Sequence, residues 1–448
     1  MATKRSQFLT KSFSAYLHRE VSEDDKELTR CGPGTPAGEY LRRFWHPVSY
    51  SQQLKDLPLK VRVMGEDLVL FRDKSGSVGM LELHCSHRGT SLEYGKTEEH
   101  GIRCCYHGWL FDVDGRILET PLEPTDSTLK DRLCHGAYPV TEDKGLVFAY
   151  MGPPDKMPEL PVLDLLELPG YKLECGELGG VGNPKPCNWL QLVDNFVDPL
   201  HEIVLHGTAS GVQLTDLHGQ LLKEITISGE ADFIKSPTGI IGLVSRRIAD
   251  DTVWVRNIEY ISPNISMFGF PPLFPVEFGP DDTEIHNIPS TIFWAVPIDD
   301  TKSIEFSLVL THEGQANPRT TEPNPVVISN VGGRTYEEMQ RMPGDYEAQI
   351  GQRPIARHAL EHLAASDRGV TMMRKNLRDA IREMQNGKEP MDLVREPGEV
   401  IPTYGGDTVL QIRRAPSEEQ DKELMRRVAL EMAYRYLKDP PNLPTPLQ

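Results

Sequence analysis

The strongest constraint on this chain is a pair of short loops, Cys85-Ser86-His87 and, sixteen residues later, Cys104-Cys105-Tyr106-His107. Each loop offers one thiolate and one imidazole, and two such loops can close around metal. Two thiolates and two imidazoles suit either a structural Zn²⁺ or a [2Fe–2S] cluster with two cysteines on one iron and two histidines on the other. Zinc sites usually pair Cys with Cys and His with His along the sequence. Here each loop is mixed, and that order favours the iron–sulfur alternative.

The rest of the composition bounds the partners. A chain of 448 residues exceeds one ordinary core, so two domains are expected. With 48 basic against 66 acidic residues the net charge is -18, which repels phosphate backbones and anionic bilayers. Neither nucleic acid nor membrane is an expected partner. The apolar run Ile265–Val276 is broken by Pro271, Pro272 and Pro275 and is too short to span a bilayer. Lys4, Arg5, Lys11 and Arg19 stand without an acid in the first 19 residues, and read as a basic arm rather than a transit peptide. Seven scattered cysteines, an odd number, suit a reducing cytoplasm.

Along the chain, Lys60–Met64, Leu68–Phe71 and Gly79–Leu83 read as strands separated by turn residues, with the metal loops among them. This all-β module closes near Gly152-Pro153-Pro154. A helical segment at Asn188–His206 follows. Then come strand-like runs at Leu221–Ile234, Ile240–Ile248, Trp254–Ile261, Ser290–Val296 and Ser303–Thr311, a large antiparallel sheet of an α+β domain. Residues 312–335 read as a surface excursion. Helices are expected at Ile355–Ala364, Asp367–Gln385 and Glu418–Lys438.

A second metal pattern lies within Asn188–His206: Asp194-x₃-Asp198-x₂-His201-x₄-His206. Asp194, Asp198 and His201 share one helical face. His206 lies five residues beyond His201, about 140° out of phase on a regular helix. The helix must therefore end or distort between them if both imidazoles are to reach one metal. Pro199 and Gly207 are the residues suited to cause that. Two histidines and one carboxylate make the facial triad of non-haem Fe(II), with positions left open for O₂. The alternative is a solvated acidic face with two satisfied histidines.

The flanks His84-Cys85-Ser86-His87-Arg88-Gly89 and Tyr106-His107-Gly108-Trp109-Leu110-Phe111-Asp112, with the downstream Asp/His pattern, resemble the catalytic α-subunit of Rieske non-haem iron oxygenases. Cys187-Asn188-Trp189-Leu190-Gln191 and Trp294–Thr301 are similar to its phthalate-dioxygenase-like branch. The resemblance covers nearly the whole chain. It implies an N-terminal segment (1–40) packing on the catalytic domain, an all-β Rieske domain (41–155) and a catalytic mononuclear-iron domain (156–448). It also implies that Cys85, His87, Cys104 and His107 hold the [2Fe–2S] cluster and that His201 and His206 bind the mononuclear Fe(II). Asp198 would be the carboxylate linking one iron-ligating histidine to a Rieske histidine of the neighbouring subunit. The third ligand falls on Asp345, with Glu347 as the alternative and a solvated loop acid as the reading without iron. The implied assembly is a homotrimer or a multiple of trimers. Electrons would come from NAD(P)H through a separate reductase, since no Gly-rich nucleotide fingerprint follows a strand.

The implied reaction is O₂-dependent hydroxylation of a small aromatic molecule, either cis-dihydroxylation of a carboxylate-bearing ring or monohydroxylation or O-demethylation of another substrate. Arg246, Arg247 and Arg256, on predicted strands, are either surface charges or partners of a substrate carboxylate. Met267, Phe268, Phe270, Phe274 and Phe278 form either an aromatic pocket or plain core. Two rival classes are a ferredoxin-type electron carrier, which leaves about 300 residues without a task, and a zinc-stabilised binding protein.

Overall fold

The strand-and-turn pattern after residue 44 folds into three small antiparallel sheets in the computed structural model, which describes residues 9–17, 24–176, 183–215, 220–269, 274–314, 334–390 and 393–442. In the first sheet Trp45–Tyr50 pairs with Leu146–Tyr150, and Val140–Asp143 completes it, so the two ends of this region are hydrogen-bonded together. The second orders Leu59–Val63, Glu66–Arg72, Val78–Glu82 and Ala137–Tyr138. The third is made of very short strands, Lys96–Thr97, Ile102–Arg103, Leu110–Phe111 and Ile117–Glu119; the Cys104 loop joins its second and third strands, and the Cys85 loop lies on the connection from the second sheet into it. Pairing alone cannot hold strands this short. The core of Val69, Phe71, Leu81, Leu92, Ile102, Trp109 and Phe111 does so, at about 1.5–3 kcal/mol for each large side chain fully buried.

The remainder is organised on a nine-stranded antiparallel sheet. Its order is Tyr171–Cys175, Lys302–His312, Thr291–Asp299, Ile265–Phe268, Thr252–Ile261, Gly239–Ala249 and Glu230–Lys235. Gly406–Gln411 pairs with the first half of Thr252–Ile261, and Glu284–Asn287 pairs with Gly406–Gln411. Alternation along the central strands separates two faces. Ile241, Leu243, Val253 and Val255 meet Met425, Ala429 and Met432 of the helix Glu418–Tyr436. The opposite face receives the helices Trp189–Phe196 and Arg368–Gln385. The latter buries Val370, Met373, Leu377 and Ile381 at helical spacing. At its start Gly369 lies against the Val197 carbonyl, where an added Cβ would sit 2.3 Å from the oxygen. Only glycine lets this helix press on the turn that carries Asp198.

Residues before 44 dock on the same side. Arg378 pairs with Asp25 and Glu27, Arg30 with Asp24 and Asp300, and the Asn188 amide donates to the Thr29 carbonyl at 2.8 Å. Among the described residues no helix is long and apolar enough to cross a membrane.

Three expectations are corrected. Ile355–Ala364 holds only a 3₁₀ turn, His358–Leu360, because the Ala356 N–H is taken by the Gln191 side chain and the Pro354 carbonyl by the Asn188 N–H. Leu221–Ile234 is a strand only from Glu230; before that a 3₁₀ turn, Lys223–Thr226, packs Ile225 into a small core. The helical segment at Asn188–His206 is three pieces rather than one, as described below. The expected excursion at 312–335 lies mostly outside the described residues.

Candidate metal centres

The two cluster loops are built alike. In one, the Cys85 N–H donates to the Thr90 carbonyl (2.9 Å) and Gly89 N–H to the Cys85 carbonyl (2.8 Å). In the other, Cys104 N–H donates to Trp109 and Gly108 N–H to Cys104, at 2.8 and 3.1 Å. Both loops turn on a glycine four residues past the cysteine, at φ 75° and 76°, a conformation a side chain resists. Cys85 and Cys104 are buried, and the His87 and His107 rings lie 4.5 Å apart. Trp109 stacks parallel on His87 at 4.7 Å. The buried His87 Nδ1 has no hydrogen-bond partner. Burial, with Cys104 beside it, pushes the Cys85 thiol up to about 11, so a bound cation is needed to ionise it. No three of these four residues bring ligand atoms within 4.8 Å of one another. One tetrahedral zinc would need them closer; a two-iron cluster spreads its ligands wider. The donors fit the cluster.

The second pattern converges more tightly. Helix Trp189–Phe196, capped by the Asn188 side chain on the Leu190 N–H, ends before Asp198-Pro199. One helical turn, His201–Ile203, resumes and widens into a π turn, Val204–Thr208. A π turn advances less per residue than an α-helix, which brings His206 back toward the side of His201. Both imidazoles then meet Asp345, from the start of the helix Asp345–Ile350. His201 Nε2 lies 3.4 Å and His206 Nε2 3.1 Å from its carboxylate oxygens. Among the described residues this is the one trio of His, Cys, Asp or Glu whose ligand atoms all lie within 4.8 Å. Burial disfavours charge on His201, yet Asp345 and Asp198 outweigh it and raise the imidazole to about 9. Burial likewise opposes the Asp345 carboxylate, and the two histidines still hold it well below the usual range. A cation is what these groups share.

The position of Asp345 has a packing cause. Gln349, one turn further along its helix, accepts from the buried Lys185 ammonium (2.8 Å), which also pairs with Glu305 at 2.5 Å. The Gln191 side chain holds the Gln349 and Arg353 carbonyls. Glu347 is not at the site: both its oxygens take Arg334 at 2.6 Å, and one caps the Gly344 N–H. Asp194 is likewise engaged elsewhere, by Arg374 at 2.5 and 2.9 Å.

A family model of the Rieske [2Fe–2S] domain matches residues 44–132. The oxygenase subunit of tert-butanol monooxygenase / tert-amyl alcohol desaturase from Aquincola tertiaricarbonis is 42% identical, over 97% of this chain and 93% of its own. The chain belongs to the Rieske non-haem iron oxygenases. It is an α-subunit type of oxygenase, of the phthalate-dioxygenase-like branch. Phenoxybenzoate dioxygenase subunit alpha from Ectopseudomonas oleovorans shares 39% identity over 84% of this chain and 89% of its own. Dicamba monooxygenase bound to 3,6-dichlorosalicylic acid has the same fold, at TM-score 0.56 and 17% identity, over 78% of this chain and all of that one. As a Rieske oxygenase the chain takes a [2Fe–2S] cluster and a mononuclear iron and works with a reductase. The ferredoxin and zinc-protein alternatives fall.

Other residues of this Rieske oxygenase sit where the sequence did not suggest. Asp198 turns its backbone carbonyl to the His201 Nδ1 and keeps a partly exposed carboxylate, 3.8 Å from that nitrogen. Asn195 donates to Asp345 at 3.2 Å and lies 3.4 Å from His201 Nε2, filling the space between two members of the trio. Its signal was present: it stands three residues before Asp198, inside the helix Trp189–Phe196. Arg246 and Arg256 are not surface charges, at 0% and 2% exposure: the Ile227 carbonyl and Trp254 lie against the first, and Glu202, Asp407 and the Gly269 carbonyl against the second. Arg247, paired with Asp421, is not at the site either. Arg256 is engaged by Glu202 (3.1 Å) and Asp407 (3.6 Å). Arg246 lies over Trp254 and leaves both terminal nitrogens without a partner. Of the expected aromatics, Met267 is core, Phe268 stacks on Phe293, Phe274 and Phe278 join the cluster around Trp254, and Phe270 lies outside the described residues.

Proposed function

We propose that His201, His206 and Asp345 hold the mononuclear iron, that Cys85, His87, Cys104 and His107 hold the cluster, and that the enzyme hydroxylates an aromatic, carboxylate-bearing small molecule, by cis-dihydroxylation. The observation that carries this is the convergence of two imidazoles and one carboxylate on one point, downstream of the mixed Cys/His loops. When bound, the iron supplies O₂ activation and the cluster supplies electrons singly, drawn from NAD(P)H through the reductase. The protein's own part is orientation. The Asp198 carbonyl accepts from His201 Nδ1 and so turns Nε2 toward Asp345. The Asp198 carboxylate, left at the surface of one subunit, would meet a cluster histidine of the next in a homotrimer. In this reading residues 41–155 are the Rieske domain, 156–448 the catalytic domain, and 1–40 a segment packed on the latter.

The substrate class rests on Arg246. Burial lowers this guanidinium to about 10, and two of its N–H-bearing nitrogens lack an acceptor, which a carboxylate would satisfy bidentately. A second reading, monooxygenation or O-demethylation of a substrate without a carboxylate, is favoured by charge balance. Arg246 and Arg256 already face Glu202 and Asp407, two against two.

The test is reductase-driven O₂ uptake on a panel of aryl carboxylates, each beside its primary amide. The first reading expects turnover and a cis-diol from carboxylates, a KM advantage over the amides, and loss of that advantage in Arg246→Met. Equal use of acid and amide, or a single hydroxyl or released formaldehyde as product, supports the second.

A further inference from the structure

The two histidines of the iron trio are oriented by different means. For His201 a backbone carbonyl, that of Asp198, accepts from Nδ1. For His206 the partner is a side chain, Gln213, whose Oε1 lies 3.1 Å from Nδ1. Gln213 is 1% exposed and grips His206 a second time, its backbone N–H donating to the His206 carbonyl at 2.7 Å. The other end of the same side chain, Nε2, donates to the Pro343 carbonyl at 3.0 Å. Pro343 stands two residues before Asp345.

These contacts fix a proton. A carbonyl oxygen can only accept, so the end of Gln213 facing Pro343 must be the NH₂ group. The oxygen of the amide then faces His206, and Nδ1 must carry the hydrogen it accepts. His206 is thereby left with its lone pair on Nε2, the nitrogen 3.1–3.2 Å from the Asp345 oxygens. Without that acceptor the buried Nδ1–H loses its partner, and the competing tautomer, with the hydrogen on Nε2, cannot ligate there.

We infer that Gln213 is a positioning residue that locks His206 as the Nδ1–H tautomer and ties it to the segment bearing Asp345. This rests on the reading of His206 and Asp345 as iron ligands. One buried amide sets both the protonation of one ligand and the placement of another, although His206 and Asp345 stand 139 residues apart.

The test uses the full chain with its cluster in place, stripped of mononuclear iron and titrated anaerobically with Fe(II), then with nitric oxide as an EPR probe. Gln213→Leu keeps the bulk and removes both polar ends. It is expected to bind Fe(II) some 10–100-fold more weakly and to change the rhombicity of the nitrosyl signal, with the reduced-cluster signal per chain unchanged. Gln213→Glu restores an acceptor to Nδ1 but brings no N–H to the Pro343 carbonyl, and is expected to recover part of the affinity. A packing role alone predicts that Gln213→Leu matches the parent in Fe(II) affinity and nitrosyl signal, and that result overturns the inference. So does a Gln213→Glu chain as weak as Gln213→Leu. Asp345→Ala separates the two levels. If it binds Fe(II) like the parent, the ligand assignment itself is wrong. If it loses Fe(II) while Gln213→Leu does not, only the role of Gln213 fails.

Discussion

Lys185→Met tests whether the buried ion pair behind the Asp345 helix holds the iron site together. Lys185 and Glu305 side chains are 4% and 9% exposed, and the ammonium also serves Gln349. Removing the ammonium strands a buried carboxylate, which costs about 3–5 kcal/mol. It also leaves the Gln349 side-chain oxygen without a donor, about 1–3 kcal/mol when taken alone. In Lys185→Met/Glu305→Leu no charge is stranded, so the remaining loss should fall to that second range. On a urea slope of roughly 3 kcal/mol/M the single variant moves the unfolding midpoint down by roughly 1–1.7 M. The assay is urea unfolding followed by far-UV circular dichroism, with cluster absorbance recorded separately and mononuclear iron counted before denaturant is added. The single variant should lose iron as well as stability, because Gln349 sits one turn from Asp345; the double variant should regain most of both. A single variant within about 1 kcal/mol of the parent, or a double variant as unstable as the single, refutes the reasoning.

Glu347→Gln weakens only the clasp of Arg334 and should retain mononuclear iron, whereas Asp345→Ala should lose it; metal analysis of the purified chains decides. Asp198→Asn keeps the carbonyl that orients His201 and removes the outward carboxylate. Iron and cluster contents should stay intact while single-turnover electron transfer between them, read by stopped-flow absorbance of the cluster, slows about 10–100-fold. Cys85→Ser should abolish the reduced-cluster EPR signal without lowering Fe(II) at the second site. His46 is neutral and fully buried: Nε2–H donates to the Leu41 carbonyl, and Nδ1 accepts from Asn264. Burial lowers it from 6.5 to about 4, so its contribution is complete above about pH 6.5 and is lost as pH falls toward 4. The loss amounts to about 3 kcal/mol, and His46→Gln should flatten that limb of a stability-versus-pH series.

The cluster loops and the two histidines were legible because each set lies within a short stretch, where spacing alone limits what the side chains can share. The mismatch between His201 and His206 was also legible: a five-residue interval cannot serve one metal on a regular helix, and Asp198-Pro199 with a π turn is how the chain resolves it. Asp345, the proposed third ligand, was reachable only through family resemblance, since no local spacing constrains a residue so distant in sequence. Asp345 and Glu347 are two residues apart, and nothing in the sequence says that Arg334 takes one of them.

The misread segments share a cause. Ile355–Ala364 has helical composition, yet Gln191 and Asn188, far away in the chain, take the backbone groups a helix would have used. Arg246 and Arg256 read as surface charges because strand arginines usually are, but which sheet face is covered depends on segments that arrive from elsewhere. Gln213 belongs with these, because its proposed role joins an acceptor contact to His206, seven residues back, with a donor contact to Pro343, 130 residues on, rather than resting on any motif. In each case a side-chain amide or guanidinium is matched to backbone groups or charges remote in sequence. Periodicity reports which residues face the same way along one element, and hydrogen-bond matching across elements decides what those residues do. The proposed iron trio depends on both: a local pattern supplies the imidazoles, and buried polar contacts from Lys185, Gln191, Gln213 and Arg334 bring the carboxylate to them.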